Sequence, residues 1–224
     1  MPSSEIPHNI AIAAESMAGY PSTWALCGGW AVDAWLGRKT RNHGDIDITV
    51  FHDDQRLLLE HLAGWHMVAH DAIDPGPTEE LWTGRELVLP VHLHARQPGA
   101  ENLAALRAST LPPYTAAGDG LDFEFVLNAR DGDDLILNED PDLRAPLSMY
   151  IDQSPWGLPT VTPALLLFWK ATAYFFNPRF EKRNAMDEAD FRALVPHLSS
   201  EHRNWLHDTV ATLHADHPLL GALA

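Results

Sequence analysis

The sequence predicts an α/β (α+β) chain in which strands and helices alternate first and a small helical part follows. Two observations carry this expectation. Short apolar or alternating runs, punctuated by Gly, Pro and Asp, recur between Trp24 and Leu137 and have strand character. Beyond residues 150 to 160 the signals change to helix starts, at Thr162-Pro163, at Asp187 and at Ser199 or Ser200. The expected division is residues 1–150 for the first domain and 151–224 for the helical one.

Taken in order, residues 5 to 19 are rich in Ala and Ile at helical spacing and end at Gly19, which predicts an amphipathic helix. Trp24 to Gly28 is an apolar run suited to a buried strand, with Cys27 as a small core residue. After Gly28-Gly29, Trp30 to Leu36 reads as a two-turn helix stopped by Gly37. Arg38 to Gly44 is a polar loop, and Asp45 to Phe51 alternates as a strand does. Asp53 or Asp54 stands where it can cap a helix over QRLLLEHLA. Further strands are expected at 86–89 and 91–94, with 74–77 as a loop and 97–120 mostly a connection. Leu121 to Leu127 is the next strand, followed by a DGDD turn and the apolar 135–137. Ala164 to Phe176 is a largely buried helix broken by Asn177-Pro178, and two more helices run to Val195 and to His214.

The bulk properties exclude several classes. Across 224 residues, 15 basic against 31 acidic side chains give a formal charge of -16. Such a surface repels nucleic-acid backbones and anionic membranes and draws cations, polycationic small molecules included. One cysteine cannot form an intramolecular disulfide. MPSSEIPHNI lacks the pattern of a signal peptide, and no apolar run approaches the length of a membrane span, so a cytoplasmic protein is expected.

The chemistry concentrates between Trp24 and Val50. Residues two apart on a strand share a face, so Asp45 and Asp47 project together while Ile46 and Ile48 enter the core. Paired carboxylates are the hard oxygen ligands that Mg²⁺ prefers, completed by water and phosphate. Two such ions about 4 Å apart clamp the attacking and leaving oxygens of an in-line phosphoryl or nucleotidyl transfer. Gly28 and Gly29 let the backbone approach phosphate, and the helix behind them offers free N–H groups. Arg41 stands four residues before Asp45, placed to neutralise phosphate charge. Alone, an Asp-x-Asp is ordinarily solvated surface and a Gly-Gly an ordinary turn; their order along one strand-helix-strand unit carries the reading.

That unit, GGWAVDAWLGRKTRNHGDIDI, closely resembles the signature of the minimal nucleotidyltransferases of the DNA polymerase beta-like superfamily. It is most similar to the aminoglycoside 2''-nucleotidyltransferase and lincosamide nucleotidyltransferase branch. The match is dense over residues 24 to 50, about an eighth of the chain. The resemblance implies a nucleotidyltransferase-fold mixed β-sheet flanked by helices and followed by a small C-terminal helical part. It implies transfer of a nucleoside monophosphate from Mg-NTP, ATP or another NTP, to a hydroxyl, with release of pyrophosphate. By position, Gly28 and Gly29 match the phosphate-binding turn, Asp45 and Asp47 the metal ligands, and Arg41 and His43 the Arg-x-His element between them.

The family also has a third carboxylate on a later strand, as a metal ligand or as the base toward the acceptor hydroxyl. Asp122 and Glu124 are the candidates, two apart on one strand face. Glu124 is favoured, because an acid inside FEFVL needs a reason to be there. Glu in place of the family's commoner Asp lengthens the reach of that group.

Lys170 sits inside LLLFWKATAYFF and either extends to solvent or reaches the nucleotide phosphates; members of the resembled family often carry a lysine in a comparable place, which favours phosphate contact. Asp187, Glu188 and Asp190 are expected to cap and solvate a helix, with an acidic patch for a cationic acceptor as the alternative. Asp33, on the short helix, is a candidate to orient the loop or the acceptor, with a structural role as the favoured expectation. His92 and His94 share a strand face, yet no third ligand is in view in the sequence, and a metal site there is not the expectation.

Together these features predict a metal-dependent nucleotidyltransferase acting on a small hydroxylated acceptor of the aminoglycoside type. The alternatives are a toxin-antitoxin-type enzyme that modifies a protein or tRNA, and a non-catalytic nucleotide-binding module. Residue types cannot choose the acceptor, the base of the NTP or the oligomeric state, because a fold hosts many acceptor pockets.

Overall fold

The computed structural model describes residues 5–71, 81–96, 122–137, 140, 142–176 and 181–223. The expected loop at 74–77, the connection at 97–120 and the break at Asn177-Pro178 lie outside the described residues.

Seven strands form one mixed sheet: β1 (Trp24–Leu26), β2 (Ile46–Phe51), β3 (His66–His70), β4 (Val91–Arg96), β5 (Asp122–Asn128), β9 (Ile151–Gln153) and β10 (Pro159–Val161). Their order is β3-β4-β5-β2-β1-β10-β9, with β2/β5 and β1/β10 parallel and the other pairs antiparallel. A separate three-stranded sheet joins β6 (Arg130–Asp131), β7 (Asp134–Ile136) and β8 (Arg144–Pro146), with the DGDD turn connecting β6 to β7. The helices described are α1 (His8–Ser16), α2 (Gly28–Leu36), α3 (Gln55–His61), α4 (Pro163–Phe176), α5 (Glu181–Leu194), α6 (Ser200–Leu213) and α7 (Pro218–Leu223).

Strand alternation decides which face of the sheet is core. Ile46, Ile48 and Val50 are buried on the same side as Phe123, Phe125, Leu127 and Leu93. Each such side chain contributes about 1.5–3 kcal/mol when removed fully from water. The opposite face carries the polar members of the same strands, Asp47, Glu124, His92 and His94. Farther along that face, Thr49 and Asn128 meet Tyr150 in a buried network. The Asn128 amide donates to Thr49 Oγ1 at 2.8 Å and to the Tyr150 oxygen at 3.2 Å, and the two hydroxyls bond each other. Tyr150 therefore stays protonated, its pKa raised chiefly by burial.

Helix α2 ends as expected, at Gly37 in the left-handed conformation (φ 65°). It packs on β2 and against α4 and α5, so the C-terminal helices lie beside the Gly-Gly segment. The Ser199 hydroxyl caps α6 by accepting from the His202 amide at 3.1 Å. No helix among the described residues is long and apolar enough to cross a membrane.

Four expectations are corrected. Residues 86–89 form no strand, because their backbone donors are taken by side chains: Leu87 N donates to Gln55 Oε1 at 2.8 Å and Val88 N to Asp71 Oδ2 at 3.0 Å. Residues 151–161, read as the opening of the helical part, are the last two strands of the main sheet. Asp54 precedes α3 without capping it; its carboxylate instead accepts from Ser22 Oγ at 2.6 Å. Asp187 starts no helix, because α5 is already under way at Glu181.

Candidate active site

Strand β2 holds Asp47 two residues beyond Asp45, and the parallel register sets Asp47 directly opposite Glu124 on β5. One carboxylate oxygen from each of Asp45, Asp47 and Glu124 lies within 4.8 Å of the other two. These hard oxygen donors, all half-buried at the end of the polar face, suit a Mg²⁺ ion. Cys27 sits beneath them, its amide donating to the Asp47 carbonyl at 3.0 Å. Burial first, and then the charges of Asp47, Glu124 and Asp45, push the Cys27 thiol well up, so it remains a thiol. Asp122 opens β5 opposite Arg96, two residues before Glu124, and its side chain lies outside those described.

The Gly-Gly pair is the floor of the site. Gly28 has φ +60°, and a Cβ there would fall 1.8 Å from Asp47 Oδ2 and 2.4 Å from its Cγ. Glycine is required twice over, by the left-handed backbone and by the carboxylate against it. A Cβ on Gly29 would meet His43 Nδ1 at 2.5 Å and an Arg41 guanidinium nitrogen at 3.0 Å. Both members of the Arg-x-His element thus lie over the start of α2.

Their roles in the structure differ. His43 Nε2 donates to Asp33 Oδ2 at 2.7 Å, and its ring packs on Trp30 at 4.3 Å between centroids. Asp33 is fully buried on α2 and also accepts from the Thr40 hydroxyl. Burial pushes Asp33 up, but the hydrogen bonds from His43 and Thr40 outweigh it and hold the carboxyl below its ordinary 3.8. Asp33 therefore pins the loop between α2 and β2 to the helix.

Arg41 reaches the other way, across to α5. Its two terminal nitrogens donate to Asp190 Oδ1 at 2.6 Å and Oδ2 at 3.0 Å. Lys170 of α4 completes the cluster, 2.9 Å from Asp187 and 2.8 Å from Asp190. The expectation that Asp187 and Asp190 are solvated helix-surface acids is thereby overturned: only 5% and 3% of these residues is exposed. Nor does Lys170 extend freely to solvent; α5 brings acids to it. The i, i+3 spacing of Asp187 and Asp190 was the one available hint, and Lys170 in an apolar run was its counterpart.

A family model described as aminoglycoside-2''-adenylyltransferase matches residues 10–111, just under half of the chain. No curated protein matches the sequence. Among solved structures, the antibiotic-resistance factor ANT(2'')-Ia in solution is 15% identical, covering 93% of this chain and 90% of its own, with a TM-score of 0.50. Its crystal structure in complex with adenylyl-2''-tobramycin is 15% identical over 92% of this chain and 95% of that one, with a TM-score of 0.52. The lincosamide antibiotic adenylyltransferase LnuA in its lincomycin-bound form is looser, at 14% identity, 84% and 96% coverage and a TM-score of 0.49. The mixed sheet flanked by helices is the nucleotidyltransferase fold.

Proposed function

We propose that this chain, an adenylyltransferase-type enzyme of the nucleotidyltransferase superfamily by its family match and its fold, moves the nucleoside monophosphate of ATP to a hydroxyl of a small cationic acceptor of the aminoglycoside class. The observation that carries the reading is the convergence of Asp45, Asp47 and Glu124 within 4.8 Å, beside Gly28, where a left-handed backbone against the Asp47 carboxylate requires glycine. A divalent ion bound by Asp45, Asp47 and Glu124 would supply neutralisation of the phosphate charge and polarisation of the reacting phosphorus.

The remaining work falls to the chain. Gly28 and Gly29 present backbone N–H groups at the start of α2 to phosphate oxygens. Arg41 and Lys170 are aimed by Asp187 and Asp190 and keep N–H donors in reserve, since a guanidinium has five and an ammonium three. Asp33 and His43 fix the loop that carries Arg41. The acceptor oxygen bonds the α-phosphorus as the bond to the leaving pyrophosphate breaks. Its proton passes to the Glu124 carboxylate, or Glu124 completes the ion's ligand set. The formal charge of -16 favours capture of a polycation. Tobramycin is the first acceptor to try, because the ANT(2'')-Ia crystal complex contains its adenylyl adduct.

The test is mass spectrometry of an aminoglycoside panel incubated with protein, Mg²⁺ and each NTP. A product heavier by one nucleoside monophosphate, absent with Asp47→Asn, is expected. If no acceptor gains mass while ATP labels protein or tRNA, the macromolecular alternative replaces this reading. If ATP binds and nothing is labelled, the binding module does.

A further inference from the structure

The sheet face that carries Glu124 continues outward into a cluster of imidazoles that nucleotidyl transfer does not use. Antiparallel pairing sets His94 directly opposite Glu124 and His92 directly opposite His70. The three rings stand against one another, with centroids 5.1 Å apart for His92 and His94, 5.2 Å for His70 and His94, and 5.3 Å for His70 and His92. His92 Nδ1 is 4.0 Å from Glu124 Oε1. One ligand atom from each of His92, His94 and Glu124 lies within 4.8 Å of the other two.

We propose that His92, His94 and Glu124 form a second metal site, for a single borderline transition-metal ion of the Zn²⁺ class, next to the Asp45–Asp47 pair. Two imidazole nitrogens and one carboxylate oxygen are a donor set that suits Zn²⁺ and discourages Mg²⁺, which takes oxygen. Ligands at about 2.0–2.1 Å in a tetrahedron lie about 3.3 Å apart. The 4.0 Å separation of His92 and Glu124 is within about 0.7 Å of that spacing. Three protein ligands leave a fourth position open to water or to the neighbouring His70. Strands fix these positions: His92 and His94 are two apart on β4, and the β4/β5 register brings Glu124 to them. His92 is half-exposed, with 45% of its side chain accessible, which gives an ion a way in. Glu124 belongs to both acidic and histidine groups. Occupancy by Zn²⁺ consequently engages the carboxylate that the Asp45–Asp47 pair shares.

The experiment is titration calorimetry of Zn²⁺ into the whole chain stripped of transition metals, with millimolar Mg²⁺ present, repeated with Co²⁺ followed by its visible absorption. One Zn²⁺ per chain is expected, with affinity reduced at least tenfold in His92→Gln, His94→Gln and Glu124→Gln and retained in Asp45→Asn/Asp47→Asn. Bound Co²⁺ should show the strong d–d bands of a four- or five-coordinate N/O site, lost with His92→Gln. Far-UV circular dichroism identifies folded variants, and the half-exposed His92→Gln keeps the test open if His94→Gln unfolds. The proposal is overturned by folded wild-type protein that binds no Zn²⁺, by binding that survives His92→Gln undiminished, or by equal loss in the Asp45/Asp47 variant. None of these readouts depends on adenylyl transfer.

Discussion

Gly28→Ala probes the union of backbone and metal chemistry in one atom. The new methyl would sit 1.8 Å from Asp47 Oδ2, where ordinary contact begins near 3.4 Å, so the carboxylate must retreat by roughly 1.6 Å. Mg²⁺ holds its oxygens at about 2.0–2.1 Å in near-ideal octahedral geometry, so such a shift removes Asp47 as a ligand. The φ of +60° adds about 1–2 kcal/mol of backbone strain. For a chain of this size that strain lowers Tm by about 2–8 °C, leaving the protein folded at room temperature. Electron paramagnetic resonance of Mn²⁺-ATP, with Mn²⁺ standing in for Mg²⁺, should report affinity down by about 100-fold or more, a scale at which ångström misplacement acts on a site. Gly29→Ala should do less to the ion, because its methyl meets His43 and Arg41 rather than a carboxylate. Folded Gly28→Ala protein with wild-type Mn²⁺-ATP affinity would refute the placement of Asp47 in the metal set.

Three further outcomes follow from the same contacts. Asp190→Ala strips the shared partner from Arg41 and Lys170 in a largely buried cluster and should cost about 3–5 kcal/mol in urea denaturation, with Asp187→Ala milder because Arg41 keeps its pair. Tyr150→Phe leaves Thr49 and Asn128 short of a partner and should cost about 1–3 kcal/mol by the same measurement. Asp33 has a folded pKa below 3.8, so its contribution is present above that value and fades as pH falls through the depressed one. Acid denaturation of Asp33→Asn should therefore show a shallower loss of stability below about pH 4 than the wild type, and an unchanged slope would contradict the Asp33–His43 account.

What could be read from the sequence was local. The alternation of Asp45, Ile46, Asp47 and Ile48 assigns faces without any tertiary knowledge, and Glu124 stood out as an acid among Phe and Val. The strand at 86–89 was misread because alternation does not say whether backbone donors meet a strand or, as here, the side chains of Gln55 and Asp71. Three-residue strands such as β10, which pairs with β1, and β9, which pairs with β10, exist through those pairings and carry too few residues to show a period. The Arg41–Asp190 bond joins residues 149 apart, and beyond its i, i+3 spacing from Asp187 nothing local distinguishes Asp190 from an exposed helix acid. His92 and His94 lacked a third ligand in sequence for the same reason, since Glu124 reaches them only through the β4/β5 register.

The central claim is a divalent-ion and nucleotide site built on Asp45, Asp47 and the glycine pair. Titration calorimetry of ATP with and without Mg²⁺, on wild type and Asp47→Ala, tests it most directly. The account predicts ATP binding that requires Mg²⁺ and disappears in folded Asp47→Ala. ATP binding that is indifferent both to Mg²⁺ and to Asp47 would contradict it.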